Sequence, residues 1–534
     1  MGTITGLPEP SAVPTITGPV AKGTDRSFLY KMPAEFFGQF LLILVALLFS
    51  LVWKAIDVDF KRIELWYQLS QSTGVSGNRL MQTNLVFANT YAVPFLAIDR
   101  GQWIPALSSF IYCPLFSTAQ LLASTTVFVQ AEGACTVGDG DPNCRAYVAI
   151  RPFMARALQA VLAAIALAVS VLAVLQRARR SKLLLEHEPF SIGGLGMLMM
   201  EPTSLELFQG FEPTQSGAEL KRLVSHTRFR LSQRAVGDGG GSKPVLETVS
   251  MLARPDSGKQ EPPRASPRNV KPNMLRGPVL ITFAVFLLGV MAILLFYRFG
   301  PLSDRLVRFM DSQKVGPRIL ATSLGLVIRS LWEPIERGMN VAFNKFSQMV
   351  TDQLWACLDI RYLEPFRLLR KRNQPPGKTI FADYLRDMPF IAESYAISKL
   401  NPHILAVGTI GLAVEALVML LSVVPFSGGT TWRLYNIATF ACVAITGLVV
   451  VTLAITAFNR RYERMPRLPY SIPEMASYLY AARMVPTLGE MALCSSGGGA
   501  IGGKRYGFGW TEGSDGVVRV GVDEEELKGD YKGS

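Results

Sequence analysis

Two ionisable residues stand inside long apolar runs, where side-chain chemistry is most expensive to place. Glu415 lies near the middle of a run over residues 402–424, and Arg329 lies within a run over 317–333. An ionised carboxylate held in hydrocarbon costs several kcal/mol unless it is paired, protonated or facing water. Glu415 therefore reads either as part of a proton or substrate site, or as a paired or neutral carboxyl joining two helices. Arg329 is its nearest candidate counter-charge, although the arginine stem is also long enough to snorkel to the expected cytoplasmic edge. Glu415 and Arg329 form the candidate substrate-binding pair.

The rest of the chain offers little chemistry. Residues 498–505 carry the glycine and lysine spacing of a phosphate-binding loop, at Gly498, Gly503 and Lys504. Arg505 stands where Ser or Thr would hold Mg²⁺, and no buried strand precedes the loop, so a flexible glycine linker is expected. His187, His226 and His403 show no metal spacing. There is no Gly-x-Ser-x-Gly elbow and no acidic cluster for two metals. No catalytic residue, metal or cofactor is expected, and the chain reads as non-enzymatic. Cys135 and Cys144 share a polar loop that charge places outside, so they are the disulfide candidate against two unpaired thiols.

The elements that must position Glu415 and Arg329 are membrane-length. Mean hydropathy is +0.26 and charged residues are only 18%, against roughly 25% in soluble proteins. Apolar residues collect in seven blocks, at 34–53, 104–128, 155–176, 276–297, 317–333, 402–424 and 434–457. Each suits a helix crossing about 30 Å of hydrocarbon. Residues 1–33, with four prolines before Met32 and no apolar run, are expected to be a disordered tail rather than a signal peptide.

The net charge of +13 is assigned to loops that set orientation, not to nucleic acid. Basic clusters at 177–182, 367–372 and 459–464 all fall on one side if there are seven spans. That side is expected to be the cytoplasm, with the N-terminus outside and the C-terminus inside. The membrane is the plasma membrane or an endomembrane. Anionic lipid headgroups at Arg177–Lys182 and Arg367–Arg372 and unspecified protein partners are the expected contacts, the lipid term running at roughly 1 kcal/mol per charge.

The halves of the chain repeat. ProPheSerIle at 189–192 returns as ProTyrSerIle at 469–472, and Trp53 returns as Trp332, 279 residues on (332 − 53). Residues 228–233 parallel 505–510, and the AspGly pair at 238–239 parallels that at 515–516. The plan is a mainly α integral membrane protein of about seven transmembrane helices. Repeat 1 (34–250) and repeat 2 (316–527) are two parallel three-helix repeats, joined by a flexible linker (251–275) and a linking helix with its outer loop (276–315). Residues 528–534 form a tail. An odd linking span gives both repeats the same orientation. Each repeat ends in a small cytoplasmic β-hairpin unit, eroded in the first copy and regular in the second, where AspGly suits a tight turn. Residues 469–481 read as a short amphipathic helix lying under the membrane.

The chain resembles a family of uncharacterised multi-pass membrane proteins of ascomycete fungi that carry a tandem domain of unknown function. The resemblance rests on residues 53–70 (TrpLysAlaIleAspValAspPheLysArgIleGluLeuTrpTyrGlnLeuSer), with 363–369 as a second copy. Residues 467–473, 505–510 and 521–527 are similar to the family's C-terminal end. It spans most of 34–527, with about twenty additional residues in the second copy. It implies a membrane-embedded protein and carries over no activity and no functional residues.

The leading expectation is a structural or scaffold membrane protein. The alternative is a small-solute transporter of parallel three-helix repeats with Glu415 near a midplane site. A heptahelical receptor is disfavoured by the duplication.

Overall fold

The computed structural model describes residues 40–82, 85, 91–131, 146–180, 183–185, 191–199, 207, 217–236, 241–251, 277–301, 305–310, 315–337, 365–366, 368–369, 375–376, 379–381, 402–425, 432–458, 471–480, 482–485, 488, 505–513, 516 and 518–524. The fold is mainly helical, with small antiparallel sheets.

The first element, α1, runs from Leu42 to Leu69 and continues 16 residues past the predicted end of the first block. Its faces have inverted polarity. Val45, Leu48, Phe49 and Val52 are exposed, whereas Ser50, Lys54, Asp57, Lys61 and Glu64 are buried. Strand β1 (Val75–Ser76), α2 (Gly77–Gln82) and α3 (Val93–Asp99) follow. Then α4 (Trp103–Phe110), a π turn at Ile111–Leu115 and α5 (Phe116–Thr126) form one apolar rod. The π turn holds Pro114, whose missing N–H and bulky ring cannot be accommodated in a regular α ladder.

The loop expected over 129–153 contains an unforeseen hairpin. Strands β2 (Val127–Ala131) and β3 (Ala146–Ile150) pair directly above α5 and lead into α6 (Pro152–Arg180). Cys135 and Cys144 lie outside the described residues. Only Ile165 and Leu172 of α6 are buried, while Leu162, Leu167, Val171 and Val174 are exposed. Such a surface is stable against hydrocarbon rather than water.

After α6 come α7 (Ile192–Leu198), α8 (Gly217–Ser225), β4 (Thr227–Val236) and β5 (Gly241–Met251). This first hairpin is not eroded. Its ladder runs from Thr227↔Met251 to Val236↔Gly241, and β1 adds a third strand, Val75 opposite Phe229. The expectation failed because it was drawn from the glycine-rich turn, whereas pairing is set by the strands flanking it. Next are α9 (Gly277–Phe299), α10 (Arg305–Met310), α11 (Val315–Arg337), α12 (Pro402–Val423) and α13 (Trp432–Phe458).

Among the described residues, four helices are long and apolar enough to cross a membrane: Trp103–Thr126, Pro152–Arg180, Ile281–Phe299 and Leu434–Ile455. The described apolar stretch of α12, Gly408–Val423, is shorter, and α1 and α11 interrupt their apolar faces with charge. Helices α11 and α12 approach closely at Gly325, where a Cβ would stand 2.8 Å from Val418 Cα.

The chain closes with α14 (Ile472–Leu479), β6 (Tyr506–Glu512) and β7 (Val518–Glu524), the hairpin turning at Gly516 with φ +77°. Helix α14 is not a free amphipathic surface helix but part of a packed interior. Seven of its eight residues are buried, all but Glu474. Its start is fixed by a capping box: Ser471 Oγ accepts from Glu474 N at 3.3 Å and the Glu474 carboxylate accepts from Ser471 N at 2.9 Å. Ser191 supplies the serine half of that arrangement on α7, its Oγ accepting from Gly194 N at 3.0 Å. The shared ProPheSerIle and ProTyrSerIle strings therefore place one capping serine ahead of each helix.

One apolar core joins these pieces. It contains the end of α1 (Leu65, Trp66, Leu69), Leu195 of α7, Phe229 of β4, Phe366 and Ile380, Tyr478 of α14, and Phe508 and Val522 of the last hairpin. Both hairpins and both capped helices thus share a single interior.

Candidate functional site

The buried stripe on α1 has spacings of four, three, four and three, from Ser50 through Lys54, Asp57 and Lys61 to Glu64. Those spacings put all five on one helix face, over about 21 Å at 1.5 Å per residue. Helix α11 presents a matching face with Arg318, Thr322, Arg329 and Glu333, all buried. Together they make a polar seam inside an otherwise apolar bundle.

Arg329 is the hub. Its Nε lies 2.9 Å from Glu415 Oε2, and its Nη2 donates to Ser50 Oγ at 2.9 Å and to Tyr112 OH at 2.8 Å. Its Nη1 reaches Gln120 Oε1 at 3.3 Å. At 7% exposure it does not snorkel; the stem is long enough, but the fixed guanidinium fork finds four partners inward. Glu415 receives a second cation, Lys54 Nζ at 3.5 Å. Tyr112 OH in turn donates to Glu333 Oε1 at 3.1 Å. One helical turn along α1, Asp57 Oδ2 pairs with Lys61 Nζ at 2.5 Å and its Oδ1 accepts from Ser109 Oγ at 2.9 Å. At the lower end Glu64 pairs with Arg179 at 2.6 Å. Towards the upper end Thr322 Oγ1 donates to Ser124 Oγ at 3.2 Å.

The structure therefore brings Glu415 and Arg329 together, on α12 and α11. It adds six residues that sequence reading missed: Ser50, Lys54, Asp57, Lys61, Tyr112 and Glu333. Their signal was present as the regular spacing on α1. It was obscured because the first apolar block was taken to end at Trp53, which left Lys54, Asp57 and Lys61 outside any predicted span. Along the seam Gln120 Nε2 and Ser108 Oγ find no hydrogen-bond partner. Buried donors of that kind call for water or a polar solute.

The positive charge at Arg177–Lys182 divides. Arg177 and Arg180 are exposed, while Arg179 turns inward to Glu64 and stacks over Tyr67 at 4.4 Å. Ser181 and Lys182 lie outside the described residues, as do Arg367, Arg370, Lys371 and Arg372 of the second cluster. No group of three or more His, Cys, Asp or Glu that could hold a metal occurs among the described residues.

Away from the spans, Asp523 is 2% exposed and ties the last hairpin to the chain after α14. Its carboxylate accepts from the backbone N–H of Arg483 at 3.1 Å, Met484 at 3.1 Å and Glu524 at 2.8 Å. Burial nevertheless pushes its pKa up to about 6, the three amides opposing that shift.

A helical chain with several membrane-length apolar helices and this polar seam defines the class of protein. Two separate regions, residues 36–128 and 349–426, match one family, described as a protein of unknown function (DUF3433). The chain thus carries a tandem domain of unknown function. The first region supplies Ser50, Lys54, Asp57, Lys61, Tyr112 and Gln120, and the second supplies Glu415; Arg329 and Glu333 fall between them. No curated protein and no solved structure matches the chain.

Proposed function

We propose that this chain is a non-enzymatic integral membrane carrier for small polar solutes, in which two parallel three-span repeats move about a shared polar seam. The observation that carries the reading is the seam itself. Six ionisable side chains, Lys54, Asp57, Lys61, Arg329, Glu333 and Glu415, are buried where α1, α4–α5, α11 and α12 meet. Buried ion pairs recover their desolvation cost poorly, so such a cluster is weak as a device for stability alone. Ionisable residues at membrane depth mark solute and proton paths.

The repeat plan is supported by which helices touch. Helix α12 packs on α1 and α11 packs on α5. An axis along the membrane normal that exchanges α1 with α11 and α5 with α12 also exchanges these two contacts. The interval relating Trp53 to Trp332 pairs Ser50 with Arg329 (50 + 279), and those two side chains touch at 2.9 Å. Equivalent residues meeting each other is what a two-fold axis produces.

Seven crossings are supported by the ends of the segments. The chain after α1, α6, α11 and α13 returns each time to the one apolar core, while β2 and β3 cap the other ends of α5 and α6. That core sits in the cytoplasm in this reading, with the N-terminus outside, in the plasma membrane or an endomembrane. Arg177 and Arg180 then face anionic headgroups.

A scaffold is the second reading, favoured by the joint core of both halves, which offers partners one firm cytoplasmic body. Water access separates the two. In a chain whose native cysteines are replaced by alanine, a carrier predicts that Ser50→Cys and Ser109→Cys react with a membrane-impermeant methanethiosulfonate, while Leu47→Cys does not. Full abundance with no reaction at either seam position would leave only the scaffold.

A further inference from the structure

We propose that Glu415 is the proton-coupling residue of the seam, and that the solute carried with the proton is a small organic monoanion. The proposal rests on the carrier reading above. Its basis is how the charges are shared between the halves. Glu415 is held by one cation from each repeat, Lys54 of α1 at 3.5 Å and Arg329 of α11 at 2.9 Å. Among the described residues, the other groups around this site are Ser50, Asp57 and Lys61 on α1, Glu333 on α11, and Tyr112 and Gln120 on α4–α5. From α13, the buried polar residues are Thr439 and Thr446.

The cluster is neutral as it stands. Around Glu415 itself, Lys54, Lys61 and Arg329 as cations balance Asp57, Glu333 and Glu415 as anions, with Arg62, Glu64 and Arg318 buried further along the same helices. A proton arriving from solution forms an O–H bond on a Glu415 oxygen and takes the cluster to +1. Both salt bridges to Glu415 then lose their negative charge, which weakens the tie between α12 and each of its two cationic partners. In a low-dielectric interior an uncompensated charge is costly, so Arg329 and Lys54 require another anion. A solute carboxylate restores neutrality and fits the planar guanidinium, whose fork matches carboxylate geometry. Gln120 Nε2, the buried amide donor with no partner beside Arg329, supplies a further hydrogen bond to it. Release of the anion and then of the proton on the other side returns the cluster to its neutral, tied form.

The full chain reconstituted in lipid vesicles tests this with radiolabelled lactate and glucose as probes. Lactate uptake is expected to rise at least tenfold under an inward proton gradient and to be lost in Glu415→Gln, which mimics the permanently protonated acid. Lys54→Met removes one of the two cations that receive the anion, so the protonated cluster is neutral rather than +1, and lactate uptake is expected to fall with its pH dependence displaced. Glucose uptake that ignores the gradient, or gradient-driven lactate uptake unchanged in correctly assembled Glu415→Gln, overturns the proton and anion assignment while leaving a carrier. Uptake of neither probe by the wild-type chain overturns this inference; absence of thiol access at Ser50 and Ser109 as well would remove the carrier reading with it.

Discussion

At the scale of single residues, Arg329 and Glu415 are each other's condition for burial. Removing one partner of a buried pair leaves an unpaired charge, at roughly 3–5 kcal/mol. Glu415→Leu is therefore expected to lower the unfolding midpoint in detergent sharply. Arg329→Met combined with Glu415→Leu should recover part of that loss, and a double-mutant cycle showing no coupling would contradict the 2.9 Å contact. Asp523 makes a prediction of the opposite kind, outside the membrane. Its pKa rises from 3.8 to about 6 on folding. A raised carboxyl favours the fold below the unfolded value, so the gain is complete below about pH 4 and disappears as pH climbs through 6. The amplitude is about 3 kcal/mol, at 1.36 kcal/mol per unit. Protection factors in β6, with the intrinsic pH dependence of exchange divided out, should rise on acidification from pH 7 to 4, and Asp523→Asn should flatten that dependence.

At the scale of elements, close approach and capping decide where helices sit. A side chain at Gly325 would drive into Val418 of the neighbouring helix. Small residues are what let membrane helices meet at such distances. Gly325→Leu should separate α11 from α12, pull Arg329 away from Glu415 and reduce correctly assembled protein on gel filtration. By comparison Ser471→Ala removes one cap, at roughly 1 kcal/mol, and should loosen α14 without disturbing the seam. Normal exchange protection over 472–479 in that variant would show the capping box to be idle. The same capping serine explains why the string around Ser191 and Ser471 was readable in both halves. The ladder of β4 and β5 was misjudged for the converse reason, because its turn is loose while its strands are long.

At the scale of the whole molecule, apolar side chains face outwards from a polar seam, and the described hairpins β4–β5 and β6–β7 and the capped helices α7 and α14 share one apolar core. Tags at Met1 and Ser534 are expected on opposite faces of intact vesicles. Thiols introduced at Arg234 and Arg519, one in each hairpin, are expected on the same face. Both tags on one face would make the number of crossings even and remove the two-fold arrangement of the repeats.

What the sequence determined by itself was the local part of the fold. Apolar length marks the helices, because hydrocarbon thickness is a single fixed scale. The string shared around Ser191 and Ser471 marks two helix starts, because capping is short-range. Glu415 and Arg329 were legible as anomalies in apolar runs. Their contact was not, nor were Lys54, Asp57 and Lys61 as buried residues. A charge next to an apolar block has the same sequence whether it faces water or another helix. Only the packing of α1 against α12, and of α5 against α11, decides which, because the partner that makes burial tolerable lies hundreds of residues away.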